Sequence, residues 1–292
     1  MKVHNNQLLF IQFPHPGKEH KPDKNNPNHI SWNQNAHKRK FIKNPGIYLQ
    51  GDRKIDSDLI FWGEWEAESD VIQELKAEYL GEPRYLYQPY YSVVDEKKFL
   101  QNTDPFVFGN NFYYVCCRQA TRRGLTQLRF LERGSVILFG SCLNKQFVLD
   151  TVFVVDRYFD VESLEQISQY VPETYVDVTL KHILVQESSN CTNKNPNSCT
   201  DNQNFRLYLG ATFNNPVNGT FSFFPCLPYL PNINRGFTRP AIQVSNINHN
   251  LSQNFKILNS DRGHQQLWQQ VREQVEQANL KLGIYTELPP HK

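Results

Sequence analysis

No run in the 292 residues approaches the roughly 18 consecutive apolar residues of a membrane-spanning helix. The apolar stretch nearest the N-terminus, Leu8 to Phe13, is interrupted by Gln12 and ended by Pro14. It lacks both the long apolar core and the small-residue cleavage site of a signal peptide. The expectation is a cytoplasmic protein without a membrane partner. Charge of one sign is also missing: 31 Lys and Arg stand against 29 Asp and Glu, for a net +2. A protein-wide field is therefore excluded as the means of finding a partner, and charge-driven recognition must come from a local patch. The six cysteines form no CxxC pair, which argues against a disulfide framework in a chain this long. There is no GxGxxG, P-loop, GxSxG elbow or zinc-deaminase signature, so nucleotide-cofactor, α/β-hydrolase and base-deamination chemistry are not expected.

Aromatic residues are plentiful at 13%, enough buried area to offset chain entropy. Strand-like runs occur at Leu8–Phe13, Ile47–Leu49, Leu59–Trp65, Phe112–Cys117, Gln127–Phe130, Ser135–Ser141, Gln146–Asp156, Phe205–Leu209 and Phe221–Phe224. Residues 14–46, rich in Pro, Asn, His and Lys, read as a long loop. Ser135–Ser141 and Gln146–Asp156 read as a hairpin around Asn144. Helices are expected at Ser69–Tyr79, from the stripe Val71, Ile72, Leu75 and Tyr79, and at Val161–Val171, capped by Ser163. A third, Gln265–Leu280, shows Leu267, Trp268, Val271 and Val275 on one face and is ended by Gly283. Strands dominate and do not alternate with helices. The fold class is α+β: mixed, mainly antiparallel β-sheet or barrel with a few peripheral helices. One large domain over residues 1–292 is expected, with a division into 1–100 and 101–292 as the alternative.

Three constellations could carry chemistry. In HPGKEH, His15, Glu19 and His20 flank a Pro-Gly turn; five of the nine histidines fall in the first 37 residues. Imidazole is both a general base and a metal ligand, though a plain polar loop fits as well. In NAHKRKF, His37, Lys38, Arg39 and Lys40 form a compact basic run flanked by Trp32 and Phe41. Cations neutralise phosphates and aromatic faces stack bases, whereas a solvated turn is the plainer alternative. Arg118, Arg122 and Arg123 form a second basic cluster, and Arg235 with Arg239 a third. In FWGEWEAES, Trp62, Glu64 and Glu66 share one face if the chain is extended. A Glu beside Trp gains a raised pKa suited to a general acid, or the two carboxylates hold a metal with His15 or His20. The alternative is an edge strand with solvated acids. Burial of these acids would require a charge partner, for which Arg39 or Lys40 is available. Cys116, Cys117 and Cys142 read as small buried hydrophobes. Cys191 and Cys199 flank a polar loop and could meet in a zinc or disulfide pairing.

LERGSVILFGS, residues 131–141, followed by QFVLDTVFVVD, resembles the strands of PUA, ASCH and EVE-type β-barrel domains. The resemblance implies a PUA-like β core near 105–160 and binding of RNA or modified DNA bases. The sequence departs from that pattern where Ser135 follows Gly134 in place of the Asp often found there. QFPHPGKEH, NAHKRKF and FWGEWE together resemble an uncharacterised bacterial family of the kind associated with nucleotide modification or phage defence.

The leading expectation is nucleic-acid binding or processing. Trp32, His37, Lys38, Arg39, Lys40, Trp62, Arg118, Arg122 and Arg123 would contact nucleic acid, and His15, His20, Glu64 and Glu66 would form a catalytic pocket. The alternatives are a metal-dependent hydrolase of a nucleotide or other phosphorylated substrate, with a divalent metal held by the same His and Glu residues, and a non-enzymatic protein-interaction module.

Overall fold

The computed structural model describes residues 6–14, 17–22, 38–92, 101–121, 124–161, 163–183, 205–244, 254–257 and 261–292. Its first strands are β1 (Leu9–Pro14), β2 (Lys18–Glu19), β3 (Lys38–Gln50), β4 (Arg53–Glu64), β5 (Ser69–Glu74), β6 (Tyr85–Pro89), β7 (Tyr113–Tyr114), β8 (Ala120–Thr121) and β9 (Gly124–Leu125). The long pair β10 (Val136–Leu143) and β11 (Gln146–Val161) follows, then α1 (Leu164–Ser168) and α2 (Glu173–Tyr175). A 3-10 turn (Gln127–Arg129) precedes β10 and a π-helical turn (Val176–Leu180) continues α2; the remaining elements are β12 (Phe205–Gly210), β13 (Phe224–Pro228), β14 (Asn254–Ile257), α3 (Asp261–Gln277) and β15 (Lys281–Thr286). The fold is mainly antiparallel sheet with few helices. Among the described residues no helix is long and apolar enough to cross a membrane.

One sheet has the order β14-β1-β10-β11-β12-β7, with β1 parallel to β10. The other runs β15-β13-β4-β3-β6-β5, with β2 added to β3. A further β15–β3 pairing makes β3, β4, β13 and β15 a hydrogen-bonded ring. The hairpin β10–β11, which carries the PUA-like resemblance, lies within the first sheet between β1 and β12.

Alternation along β1 decides the layers. Leu9, Ile11 and Phe13 join Ile137, Phe139 and Phe153 in a core shared with Phe61, Trp65 and Phe224 of the second sheet. Phe10 points the other way and joins Val136, Leu138 and Val152 under Leu267, Trp268 and Val271 of α3. A sheet covered on both faces needs near-continuous apolar strands, as in the run LLFIQF. The Trp268 indole donates to Phe221 O at 2.9 Å, which fixes α3 on that face.

Five sequence expectations need correction. Gln127–Phe130 is not a strand: Gln127–Arg129 form a 3-10 helix capped by the Thr126 hydroxyl, which accepts from the Leu128 N–H. Ser69–Tyr79 is not a helix. Its first six residues are β5, paired with β6, and the proposed stripe leaves Ile72 40% and Tyr79 68% exposed. Cross-strand pairing with Tyr87 and Leu86 overrides a weak helical periodicity. Residues 38–46, placed in a loop, begin β3. Pro45 is tolerated there because it falls between the residues that pair with β6 (Phe41 and Ile42) and those that pair with β15 (Gly46 to Leu49). α3 ends before Gly283, at a turn where Asn279 takes a left-handed φ of 59°. Gly283 serves β15 instead, where a Cβ would lie 2.2 Å from the Phe224 ring. Finally, neither Glu64 nor Glu66 is a solvated acid on an edge strand: both are buried.

Candidate functional site: a cationic cleft above a buried charge cluster

Register brings the sequence motifs together. β3 and β4 pair Arg39 with Glu64, and β2 pairs Lys18–Glu19 with Lys38–Arg39. The HPGKEH, HKRK and FWGE segments therefore become neighbours on consecutive strands. Arg39 Nη1 donates to Glu64 Oε2 at 3.0 Å, and Arg39 Nε donates to Asp150 Oδ2 at 2.7 Å from β11. Arg239 Nη1 reaches the other Asp150 oxygen at 3.4 Å. Arg39, Glu64, Asp150 and Arg239 are all buried. Burial alone would lower the Arg39 pKa, but the Glu64 and Asp150 carboxylates outweigh it and hold the guanidinium above its ordinary range. Gly17 lies over this pair: a Cβ there would stand 3.2 Å from Arg39 Nη1.

Lys40 points to the opposite face and is fully buried. Its Nζ donates to Ala67 O at 2.8 Å and lies 5.7 Å from the Tyr87 ring centroid. Burial lowers its pKa to about 7, against the opposing pull of Glu66 and Glu68. Glu66 accepts from the Asn102 backbone N–H at 2.9 Å. His20 is buried, with its ring 5.5 Å from that of Tyr87, whose hydroxyl donates to His20 O at 3.0 Å. Deeper still, Asp104 accepts from the backbone N–H groups of Val115, Cys116 and Cys117. Burial raises its pKa to about 6 against those three hydrogen bonds, with the Glu64 charge adding to the rise.

A cleft of about 560 Å³ opens above the Arg39–Asp150 pair. Trp62 and Arg239 line its inner part; Lys18, Lys21, Arg84 and Tyr79 line its exposed part. The Arg239 guanidinium covers the Trp62 ring at 5.2 Å, and the Trp62 indole donates to Phe237 O at 2.7 Å. Glu19 sits among the outer cations: burial pushes its carboxyl up, while the Arg84 and Tyr85 N–H groups and the Arg84 and Lys21 charges pull it down. Glu78 and Glu82 also line the cleft, and both are paired to Arg235, at 3.2 and 2.5 Å.

The sequence-predicted residues divide as follows. His20, Arg39, Lys40, Trp62, Glu64 and Glu66 are gathered on β3, β4 and the segment beside β2, but all are buried. Arg39 and Lys40 are therefore not solvent-facing phosphate contacts: a strand covered on both faces turns adjacent cations into the interior on opposite sides. The expected partnership of Arg39 with a Trp-flanked Glu is present as the Glu64 ion pair. Lys38 is half-buried and Arg118 exposed. His15, Trp32, His37, Arg122 and Arg123 lie outside the described residues, as do Cys191 and Cys199. His20, Glu64 and Glu66 do not form a three-ligand group; among the described residues that grouping occurs at Asp104, Cys116 and Cys117. The third basic cluster is neutralised locally, Arg235 by Glu78 and Glu82 and Arg239 by Asp150.

Sequence reasoning missed Asp150, Asp104, Lys18, Lys21 and Arg84. Asp150 carried a signal: it is the single acid inside the apolar run FVLDTVFVV, and a charge in a buried strand needs a partner. In comparisons with known proteins, the chain matches no family model, no curated protein and no solved structure.

Proposed function

We propose that the protein binds single-stranded nucleic acid across the cleft, with Lys18, Lys21 and Arg84 on the phosphates and Tyr79 stacking a base. The observation that carries this reading is the set of three exposed cations beside an exposed aromatic ring. Lys18, Lys21 and Arg84 form no ion pair among the described residues; of the acids lining the cleft, Glu78 and Glu82 are tied to Arg235, and Glu19 sits among the three cations. Cations without ion pairs beside an exposed ring, one face of which lies under the Arg235 guanidinium at 5.3 Å, meet the two requirements of single-strand binding: charge along the backbone and a platform for bases. A guanidinium lies over each ring, Arg239 over Trp62 at 5.2 Å and Arg235 over Tyr79 at 5.3 Å, but Trp62 is 3% exposed and Tyr79 68%, so Tyr79 is the better platform. Arg39 and Lys40 act from below, holding β2 to β4 in place. The PUA-like resemblance of residues 131–156 points in the same direction by analogy.

The test is fluorescence anisotropy with labelled single-stranded DNA and RNA across a salt series. Replacing Lys18, Lys21 and Arg84 together by Gln should weaken binding and flatten the slope of log K against log salt by about 0.7 per lost contact. Tyr79→Ala should weaken it by roughly 1–3 kcal/mol with little change of slope. Equal affinity and slope in the triple variant would overturn the reading.

A further inference from the structure

We propose that Cys116, Cys117 and Asp104 form a binding site for a thiophilic divalent cation of the zinc class, with Asn102 beside it as a fourth donor. The site is separate from the cleft and does not depend on what the cleft binds.

The local fold assembles the donors. Asp104 accepts from three consecutive backbone N–H groups: Val115 at 2.9 Å, Cys116 at 2.9 Å and Cys117 at 2.8 Å. The chain wraps around the carboxylate and then leaves through Arg118, which takes a left-handed φ of 63°. Adjacent residues on a flat strand would send their thiols to opposite faces. Here the wrap turns both sulfurs inward, and one donor atom from each of Asp104, Cys116 and Cys117 lies within 4.8 Å of the others. The Asn102 amide Nδ2 stands 3.1 Å from the Cys116 sulfur and 3.5 Å from that of Cys117. Neither cysteine is in a disulfide.

Two further atoms point to a missing occupant. Asn102 Oδ1 and the Tyr175 hydroxyl are buried and have no hydrogen-bond partner among the described residues. Asn102 is 3% exposed and Tyr175 0%. That hydroxyl lies within electrostatic reach of Asp104, Cys116 and Cys117. Native proteins rarely bury such atoms unpaired, and a bound ion is one of the standard reasons for the exception. A turn anchored only by Asp104 would account for the three backbone hydrogen bonds. Hydrogen bonds between the thiols and from the Asn102 Nδ2 account for the sulfurs, but Asn102 Oδ1 and the Tyr175 hydroxyl would still be left without partners.

The donor set selects the metal. Two thiolates and a carboxylate suit zinc or cadmium and are poor ligands for magnesium or calcium. A half-turn of the Asn102 amide presents its carbonyl oxygen to the sulfurs as the fourth ligand. Binding forms two metal–sulfur bonds and two metal–oxygen bonds, to Asp104 and Asn102, in place of the ion's bound waters; each thiol gives up its proton to solvent, so two protons are released per ion. Two thiolates, one carboxylate and one dication leave a single negative charge.

The test uses the full chain, reduced and stripped of metal, titrated with cadmium while the ultraviolet thiolate-to-cadmium charge-transfer band is read. One equivalent should saturate the band, and zinc should displace it. The double variant Cys116→Ser, Cys117→Ser should lose the band, while Cys142→Ser with Cys226→Ser should keep it. In the unaltered protein, cadmium should shield Cys116 from alkylation by iodoacetamide, mapped by mass spectrometry; this readout needs no variant to fold. Absence of a stoichiometric band, its survival in the double variant, or equal alkylation of Cys116 with and without cadmium would each overturn the proposal.

Discussion

Lys40 shows how a single residue can read as surface and belong to the interior. In sequence it is the third cation of HKRK, and a charge run is normally solvated. In the fold it is fully buried, with a pKa lowered to about 7 from an ordinary 10.5. Below about pH 7 the folded and unfolded chains both carry this proton. Above it the folded chain has lost a proton that the unfolded chain keeps, so stability rises with pH. Buried thiols work in the opposite direction once ordinary thiols begin to ionise near pH 8.5. The window for Lys40 is therefore roughly pH 7–8.5. Urea unfolding across that window should give a stability that climbs with pH in the wild type and climbs less in Lys40→Met. Equal slopes in the two proteins would show that Lys40 is not held in a depressed state. The Arg39–Glu64 pair was more legible, because a Glu repeated between tryptophans demands a cation once buried. Asp104 was not, since its partners are backbone N–H groups that no side-chain pattern advertises.

Among the elements, those defined by local chemistry were readable. The β10–β11 hairpin, the Ser163 cap of α1 and the apolar face of α3 each follow from residues within a few positions of one another. β5 was not readable, because its partner β6 begins eleven residues after β5 ends and the intervening periodicity favours helix. The hairpin also offers a measure of turn strain. It closes through Asn144 and Lys145, with φ of 49° and 63°, between the paired residues Leu143 and Gln146. Asn tolerates the left-handed region, but Lys does so only at a cost. Lys145→Gly should raise stability by about 0.5–1 kcal/mol, net of the entropy that Gly adds to the unfolded chain. A denaturation midpoint that stays put or falls would show that residue 145 carries no such strain.

For the whole molecule, both sheets draw strands from either side of residue 100. β1 lies between β10 and β14, and β3 and β4 pair with β15 and β13. The Arg39–Asp150 ion pair, at 2.7 Å, ties one sheet to the other. A division at residue 100 would cut both sheets. Unfolding should therefore be one cooperative event. Trp62 and Trp65 belong to the second sheet, while Trp268 lies against the first. Tryptophan fluorescence of the wild type and of Trp268→Phe should give the same urea midpoint, coincident with far-ultraviolet circular dichroism. Midpoints that separate would mean the sheets melt independently. The strand order has a further consequence during synthesis. β1 is made before the strands it pairs with: its neighbours are residues 136–140 and 254–257, and the β3–β15 pairing waits for residues 282–286. The apolar segment Leu9–Phe13 must therefore stay uncommitted while most of the chain is translated. That makes it a natural early client for a chaperone, and it makes closure of the second sheet one of the last events of folding.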